Sequence, residues 1–429
     1  MSVEDRLGGL FFEGKRNAIL AWTLIAILVL LVGERILLAG DIRTAVLGTV
    51  LLVLGIIPPI TYRNPLITLP WDLLLIACLP VLWEIVIAVP LYTDIVPYVA
   101  VAVVALFIAV ELHAFTPVRM NHTFAVLLVT LTTMAAAAVY NISLWLSDHI
   151  LGTSFLLDGR HPDAINASVM IEFGYAIGAG LVAAVAFIYF FEKRVSPASE
   201  RTYVPPRPSV PEQRRARSTR GKTLSNRLRI AEHTQRKLTR GMQVLLILVF
   251  LFGVIQLDLP TIANAALAVG ITVLPGILER DLDLPMDSGL ALWITTAVFL
   301  HAIGSAGLYD LVTPWDHLTH AVSASVVAAA GYAGFRAIHM HTDHVYIPPK
   351  FMFVLILIFV LAAGVIWEVI EFIIDQIAIM LDLPAVLAQH GIHDTIVDLI
   401  FNIIGALITA IWGTIYLTDV SESISDHFS

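Results

Sequence analysis

The chain has 429 residues, of which 58% are hydrophobic and only 14% charged, with a net charge of −9. Soluble domains carry about 25% charged residues, so this composition excludes an ordinary soluble enzyme or binding module. The charge is also uneven, because 14 of the 25 Lys and Arg fall between Lys193 and Arg240.

The first residues carry Glu4, Asp5 and Arg6, and Lys15-Arg16 precede an apolar run with no small-residue cleavage site after it. That pattern reads as a retained first helix rather than a removable signal. Apolar runs of ~20 residues suffice to cross ~30 Å of hydrocarbon. Six such runs fall in the first part of the chain, at about 17–38, 43–62, 66–90, 95–116, 120–147 and 167–192. Six more fall at about 241–257, 260–279, 288–309, 315–338, 350–376 and 394–417. The expected fold class is therefore an all-α polytopic membrane protein with about twelve transmembrane helices. Pro58-Pro59 and Pro275 are expected to kink or end their helices. The lone Cys78 lies inside an apolar run, where it reads as a small core residue outside any disulfide framework.

Between the two sets of runs, Pro197, Pro205, Pro206, Pro208 and Pro211 accompany the Arg-rich stretch. Such a segment cannot bury a core and is expected as an exposed linker, with anionic lipid headgroups as its partner. The expected domains are a first membrane half, 1–192, a basic linker, 193–240, and a second membrane half, 241–420. Placing the linker in the cytoplasm puts 22 basic residues inside and leaves Arg35, Arg43 and Arg160 outside. The positive-inside rule then gives a multi-pass plasma-membrane protein with both termini cytoplasmic. The linker lacks aromatic interleaving, so no nucleic acid is expected as a partner.

A shift of 227 residues lays Asp148 on Asp375, Asn141 on Glu368 and Ile177-Gly178-Ala179 on Ile404-Gly405-Ala406. The windows 120–190 and 347–417 share an apolar pattern, which suggests two six-helix parallel repeats related by an axis along the membrane normal. Leu144 and Ile171 stand where Glu371 and Asp398 do, so the first half would be a degenerate, structural copy.

Chemistry concentrates near the end of the chain. Asp316 and His320 step by four, Glu368 and Glu371 by three, and Asp394, Asp398 and Asn402 by four. On a helix each series shares one face. The expected topology brings all three series to the outer end of the membrane. Ionisable groups cost roughly 2.5–3.5 kcal/mol each in the middle of a membrane helix. No Lys or Arg occurs in 314–327, 364–380 or 391–404 to compensate them. The remaining partners are protons or a divalent cation. Oxygen ligands suit Mg, Ca or Mn, and His320 tilts the choice toward Mn or Zn. Asp316, His320, Glu371, Asp394 and Asp398 are the expected metal ligands. Glu368 is the expected general base and Asn402 a supporting group beneath. An interhelical hydrogen-bond network or a proton pathway would use the same residues.

The set Asp316-x3-His320, Glu368-x2-Glu371, then His393-Asp394-Thr395-x2-Asp398 resembles the YjdF-like family of bacterial inner-membrane proteins. The ending Asp398-x3-Asn402-x2-Gly405 is similar to the VanZ-like family, whose members include a teicoplanin-resistance protein. The resemblance covers roughly 300–417 and implies an envelope role without a defined chemistry.

Other residues read blandly. Asp375 suits a solvated helix end, and Asp316 suits an N-cap after Pro314. Glu84 and Glu172 are acids inside spans with no obvious basic partner. His339, His341 and His344 read as a solvated loop, and Asn121, Asn141 and Asn166 only match glycosylation triplets. Three functions stay open: a metal-assisted enzyme or binding protein for a lipid-linked or envelope substrate, a transporter, and a non-catalytic envelope protein.

Overall fold

The structure is a computed structural model and describes residues 12–34, 37, 42–86, 96–194, 231–281, 288–312, 314–342, 345–387, 389 and 391–416. Apart from two paired two-residue strands, β1 (Phe12–Glu13) and β2 (Ile67–Thr68), its regular structure is helical. The helices are α1 (Lys15–Glu34), α2 (Ile42–Thr61), α3 (Trp71–Val86), α4 (Val96–Phe115), α5 (His122–Leu151) and α6 (Pro162–Arg194). After them come α7 (Glu232–Gln256), α8 (Leu259–Asp281), α9 (Ser288–Ile303), α10 (Pro314–His341), α11 (Pro349–Met380) and α12 (Gly391–Tyr416). Among the described residues, nine helices are long and apolar enough to cross a membrane. The chain is thus an all-α polytopic membrane protein.

Contacts divide the described chain into two compact units. One holds residues up to Ala137, those from Glu172 to 194, and 345–348; the other holds Ala138–Ile171, 231–342 and the chain from Pro349 onward. In the first unit, Asn17 joins α1 to the start of α3. Its side chain donates to Thr68 Oγ1 and the Leu69 carbonyl and accepts the Trp71 N–H. Glu172 is joined across helices not by a basic group but by the Tyr98 hydroxyl of α4, which donates to it at 2.9 Å. The Glu84 side chain lies outside the described set, as do residues 195–230 and His344.

These units do not follow the expected boundary at 192. Residues 138–171 pack with the second unit because polar contacts tie them to its last hairpin. Thr395 Oγ1 donates to Asn166 Oδ1, and Asn166 Nδ2 donates to Gln389 Oε1. The backbone at Gly391 lies against Pro162 and Asp163, and the Trp145 ring lies 5.3 Å from that of His393. Residues 232–240, the end of the sequence-assigned linker, form the first turns of α7, and Gln235 there is buried and accepts from Ser288.

Pro58 and Pro59 lie in the last turn of α2, and Pro275 lies within α8. His339 and His341 belong to the last turn of α10, and His339 is buried rather than in a solvated loop. Between α9 and α10 the chain makes a π-helical turn, Gly304–Leu308, where Gly307 adopts φ +121°, a conformation that favours glycine. A tight seam joins α10 to α12. A Cβ at Gly405 would overlap the Ala321 carbonyl oxygen, and Thr409 donates to the Ser325 carbonyl.

Candidate metal centre

α10 delivers Asp316, His317 and His320 from its first two turns. Asp316 lies inside the first turn, not at the cap, and its carbonyl accepts from Thr319 Oγ1. His320 Nε2 lies 3.7 Å from Asp316 Oδ1 and 3.6 Å from Asp398 Oδ2. The close seam at Gly405 makes this meeting possible, because Asp398 lies two helical turns before it on α12.

Glu368 on α11 is completely buried, and Asp398 and His320 are nearly so. His320, Glu368 and Asp398 each offer one ligand-type atom within 4.8 Å of the other two. Asp316, His317 and Asp398 form a second such set under the same limit. Glu368 Oε1, Asp398 Oδ1 and His317 Nδ1 are buried with no hydrogen-bond partner. Buried polar atoms are ordinarily paired, so three orphans inside one small cluster mark a place that suits a cation.

The neighbouring groups are engaged. Gln389 Nε2 donates to Glu368 Oε2 at 2.9 Å and faces the Glu368 carbonyl at 3.3 Å, while its own carbonyl accepts from Asn166. One carboxylate oxygen of Glu368 is thereby fixed and the other left free. Asp375, expected as a solvated helix end, is buried; it accepts the backbone N–H groups of Val386, Leu387 and Gln389 at 2.8–3.1 Å. It thus shapes the loop that presents Gln389. Asn402 is buried beside Gly364 on α11, one turn after Asp398 on α12.

Glu371 and Asp394 are half-buried and fall outside both ligand-compatible sets. Glu368, expected as a base, is at ligand range. Sequence reasoning passed over His317, Gln389, Asn166, His301 and Tyr309. His301 contacts the His320 ring edge-on, with centroids 5.6 Å apart. Its two nitrogens lie 2.8 Å from the Tyr309 hydroxyl and 3.1 Å from Ser323 Oγ. The π-helical turn places the Tyr309 ring on Gly304, where a Cβ would overlap it. The signal available in the sequence was Gly304-Ser305-Ala306-Gly307 interrupting an apolar helix between His301 and Tyr309, since π-helical turns recur at functional sites. His317 carried a weaker signal, its adjacency to Asp316; its ring stacks on Phe401 at 4.5 Å.

No basic group in the α5–α6 loop is spare for the cluster. Arg160 is engaged by Asp158, which accepts its backbone N–H at 3.1 Å and its Nε at 2.7 Å. Those bonds, the backbone one first, hold the Asp158 carboxyl below its ordinary range despite the opposing cost of desolvation.

Fold and cluster define a multi-pass membrane protein with a buried acid–histidine centre. Residues 238–419, which include the whole cluster, match the predicted membrane protein family DUF2238. Residues 5–68 match DUF8268, a domain of unknown function. An uncharacterised protein of Thermotoga maritima is 29% identical over 133 residues, a stretch that covers 30% of this chain and 65% of that protein. No solved structure matches the chain.

Proposed function

We propose that this chain spans the plasma membrane twelve times, with both termini and the basic linker in the cytoplasm. In this reading a divalent cation is held at the outer end of α10–α12, and the centre acts on a lipid-linked or envelope substrate. The observation that carries it is the meeting of His320, Glu368 and Asp398 from three helices, with two carboxylate oxygens unpartnered. A cation there would polarise a phosphoryl or carbonyl oxygen of the substrate. His320, Glu368 and Asp398 would hold it, Asp316 would add an oxygen from the first turn of α10, and Asn402 and Gln389 would fix their orientation. Glu371, one turn further along α11 and outside both sets, would take up a proton. The halves form parallel repeats in which the first supplies Asn166 and the second the ligands.

The test is Mn²⁺ binding to detergent-purified protein, followed by calorimetry. Wild type should bind, and Asp398→Asn should lose that binding while keeping its helical content. Equal binding by both proteins would defeat the cation reading, and so would the absence of binding in wild type.

A further inference from the structure

The two ligand-compatible sets share one residue. Asp316, His317 and Asp398 make one, and His320, Glu368 and Asp398 make the other. Asp398 has two oxygens with different surroundings: Oδ2 lies 3.6 Å from His320 Nε2, whereas Oδ1 is buried and has no hydrogen-bond partner. Each set also contributes an orphaned buried atom of its own, His317 Nδ1 in the first and Glu368 Oε1 in the second. A single cation would answer one set and leave the other with an unpaired buried group. Such a group costs roughly 1–3 kcal/mol when neutral and more when charged.

Charge leads to the same count. Asp316, Glu368, Glu371, Asp394 and Asp398 are five carboxylates on three helices whose segments 314–327, 364–380 and 391–404 carry no Lys or Arg. One divalent cation offsets two of those charges, and two offset four. The ring packing is consistent with a second ligand set too. The His317 ring is stacked at 7° on Phe401, one turn after Asp398, so the helix that supplies the shared carboxylate also fixes the plane of His317.

We infer that the centre is a two-cation site in which Asp398 bridges, with one divalent ion at Asp316 and His317 and the other at His320 and Glu368. This rests on the cation reading above and narrows it. Paired cations in enzymes stand ~3.5–4 Å apart and clamp the attacking and leaving oxygens of a phosphoryl transfer. The substrate class this favours is a phosphate ester or anhydride rather than a carbonyl compound.

Manganese tests the inference directly. Mn²⁺ titration of the full-length purified protein, read by electron paramagnetic resonance, should reach two ions per chain and show an exchange-coupled signal in place of the isolated six-line spectrum. His317→Ala and Glu368→Gln should each reduce the count to one and restore the six-line spectrum. A wild-type chain that saturates at one uncoupled Mn²⁺, lost in Asp398→Asn, would overturn the two-cation centre while leaving the cation reading intact; no Mn²⁺ at all would overturn both. Retention of two ions and the coupled signal in His317→Ala would also overturn the assignment. Inorganic phosphate added to the doubly loaded protein should alter the coupled spectrum, and an unchanged spectrum at saturating phosphate would overturn the phosphoryl preference.

Discussion

At the scale of single residues, the centre depends on groups that hold other groups. Gln389 has its amide direction set at both ends: its carbonyl accepts from Asn166, and its NH₂ faces both the Glu368 carbonyl and Oε2. Partners of metal ligands typically contribute 10–100-fold to affinity. Gln389→Met, which keeps the length and removes the donor, should therefore weaken Mn²⁺ binding by about that factor without changing the helical content. Calorimetry gives the answer, and an affinity equal to wild type would show that Glu368 needs no help. Asp375 works one step further out. Its three bonds to loop N–H groups are charge-assisted, and hydrogen bonds to charged groups contribute roughly 1.5–3 kcal/mol each. Asp375→Leu should lower thermal stability in the metal-free protein by at least about 2 kcal/mol, measured by unfolding in detergent. An unchanged melting temperature would mean that the loop holds its shape by other means.

At the scale of helices, hydropathy marked the chain as an all-α membrane protein but gave twelve spans where nine described helices are long and apolar enough to cross, and it did not show their seams. The apolar run at 120–147 becomes His122–Leu151, and the run at 260–279 becomes Leu259–Asp281, because apolar length in hydrocarbon leaves the backbone little choice but helix. The stepping of Asp316 and His320 likewise put both on one face, and they meet Asp398. The burial of Gln235 in the first turn of α7 was hidden because Glu232 to Arg240 is polar, and what anchors it is a long-range bond from Ser288 to Gln235. The role of Asn166 was hidden for the same reason: its partners Gln389 and Thr395 are 223 and 229 residues away. The seam between α10 and α12 could be suspected from Gly405 alone, and it yields a sharp prediction. Gly405→Val places carbon against the Ala321 carbonyl, a backbone atom that cannot swing aside. Overpacking of this kind costs typically 1–3 kcal/mol. Here it should also separate Asp316 and His320 from Asp398, so Mn²⁺ binding should fall along with stability. Gly334→Ala, on the same α10 but with open space around its Cβ position, is the control that should bind normally. Normal binding by both variants would show that the close seam does not assemble the centre.

At the scale of the whole molecule, the proposed repeat and the proposed topology constrain one another. Asp148 accepts the N–H groups of Phe155, Leu156 and Leu157 in the loop after α5, as Asp375 does in the loop after α11. Asn166 and Thr395, separated by 229 residues, touch each other, and Pro162 and Gly391, with the same separation, are also in contact. Both contacts join the first turns of α6 and α12, two residues away from the 227-residue spacing of the proposed repeat. An axis along the membrane normal keeps both capped loops on one membrane face, so a single topological assignment decides the side for both. In the proposed topology, with 22 basic residues inside and 3 outside, that face is the outer one. A cysteine at Ser218, in the basic linker, should then react with a membrane-impermeant maleimide only after the cytoplasmic face is opened. One at Gly159, in the loop after α5, should react on intact cells, provided the native Cys78 is first replaced by alanine. Labelling of Ser218→Cys from outside, with Gly159→Cys protected, would reverse the proposed orientation and move the proposed cation site to the cytoplasmic surface. The ligand geometry would survive that result, but a substrate drawn from the outer leaflet would not.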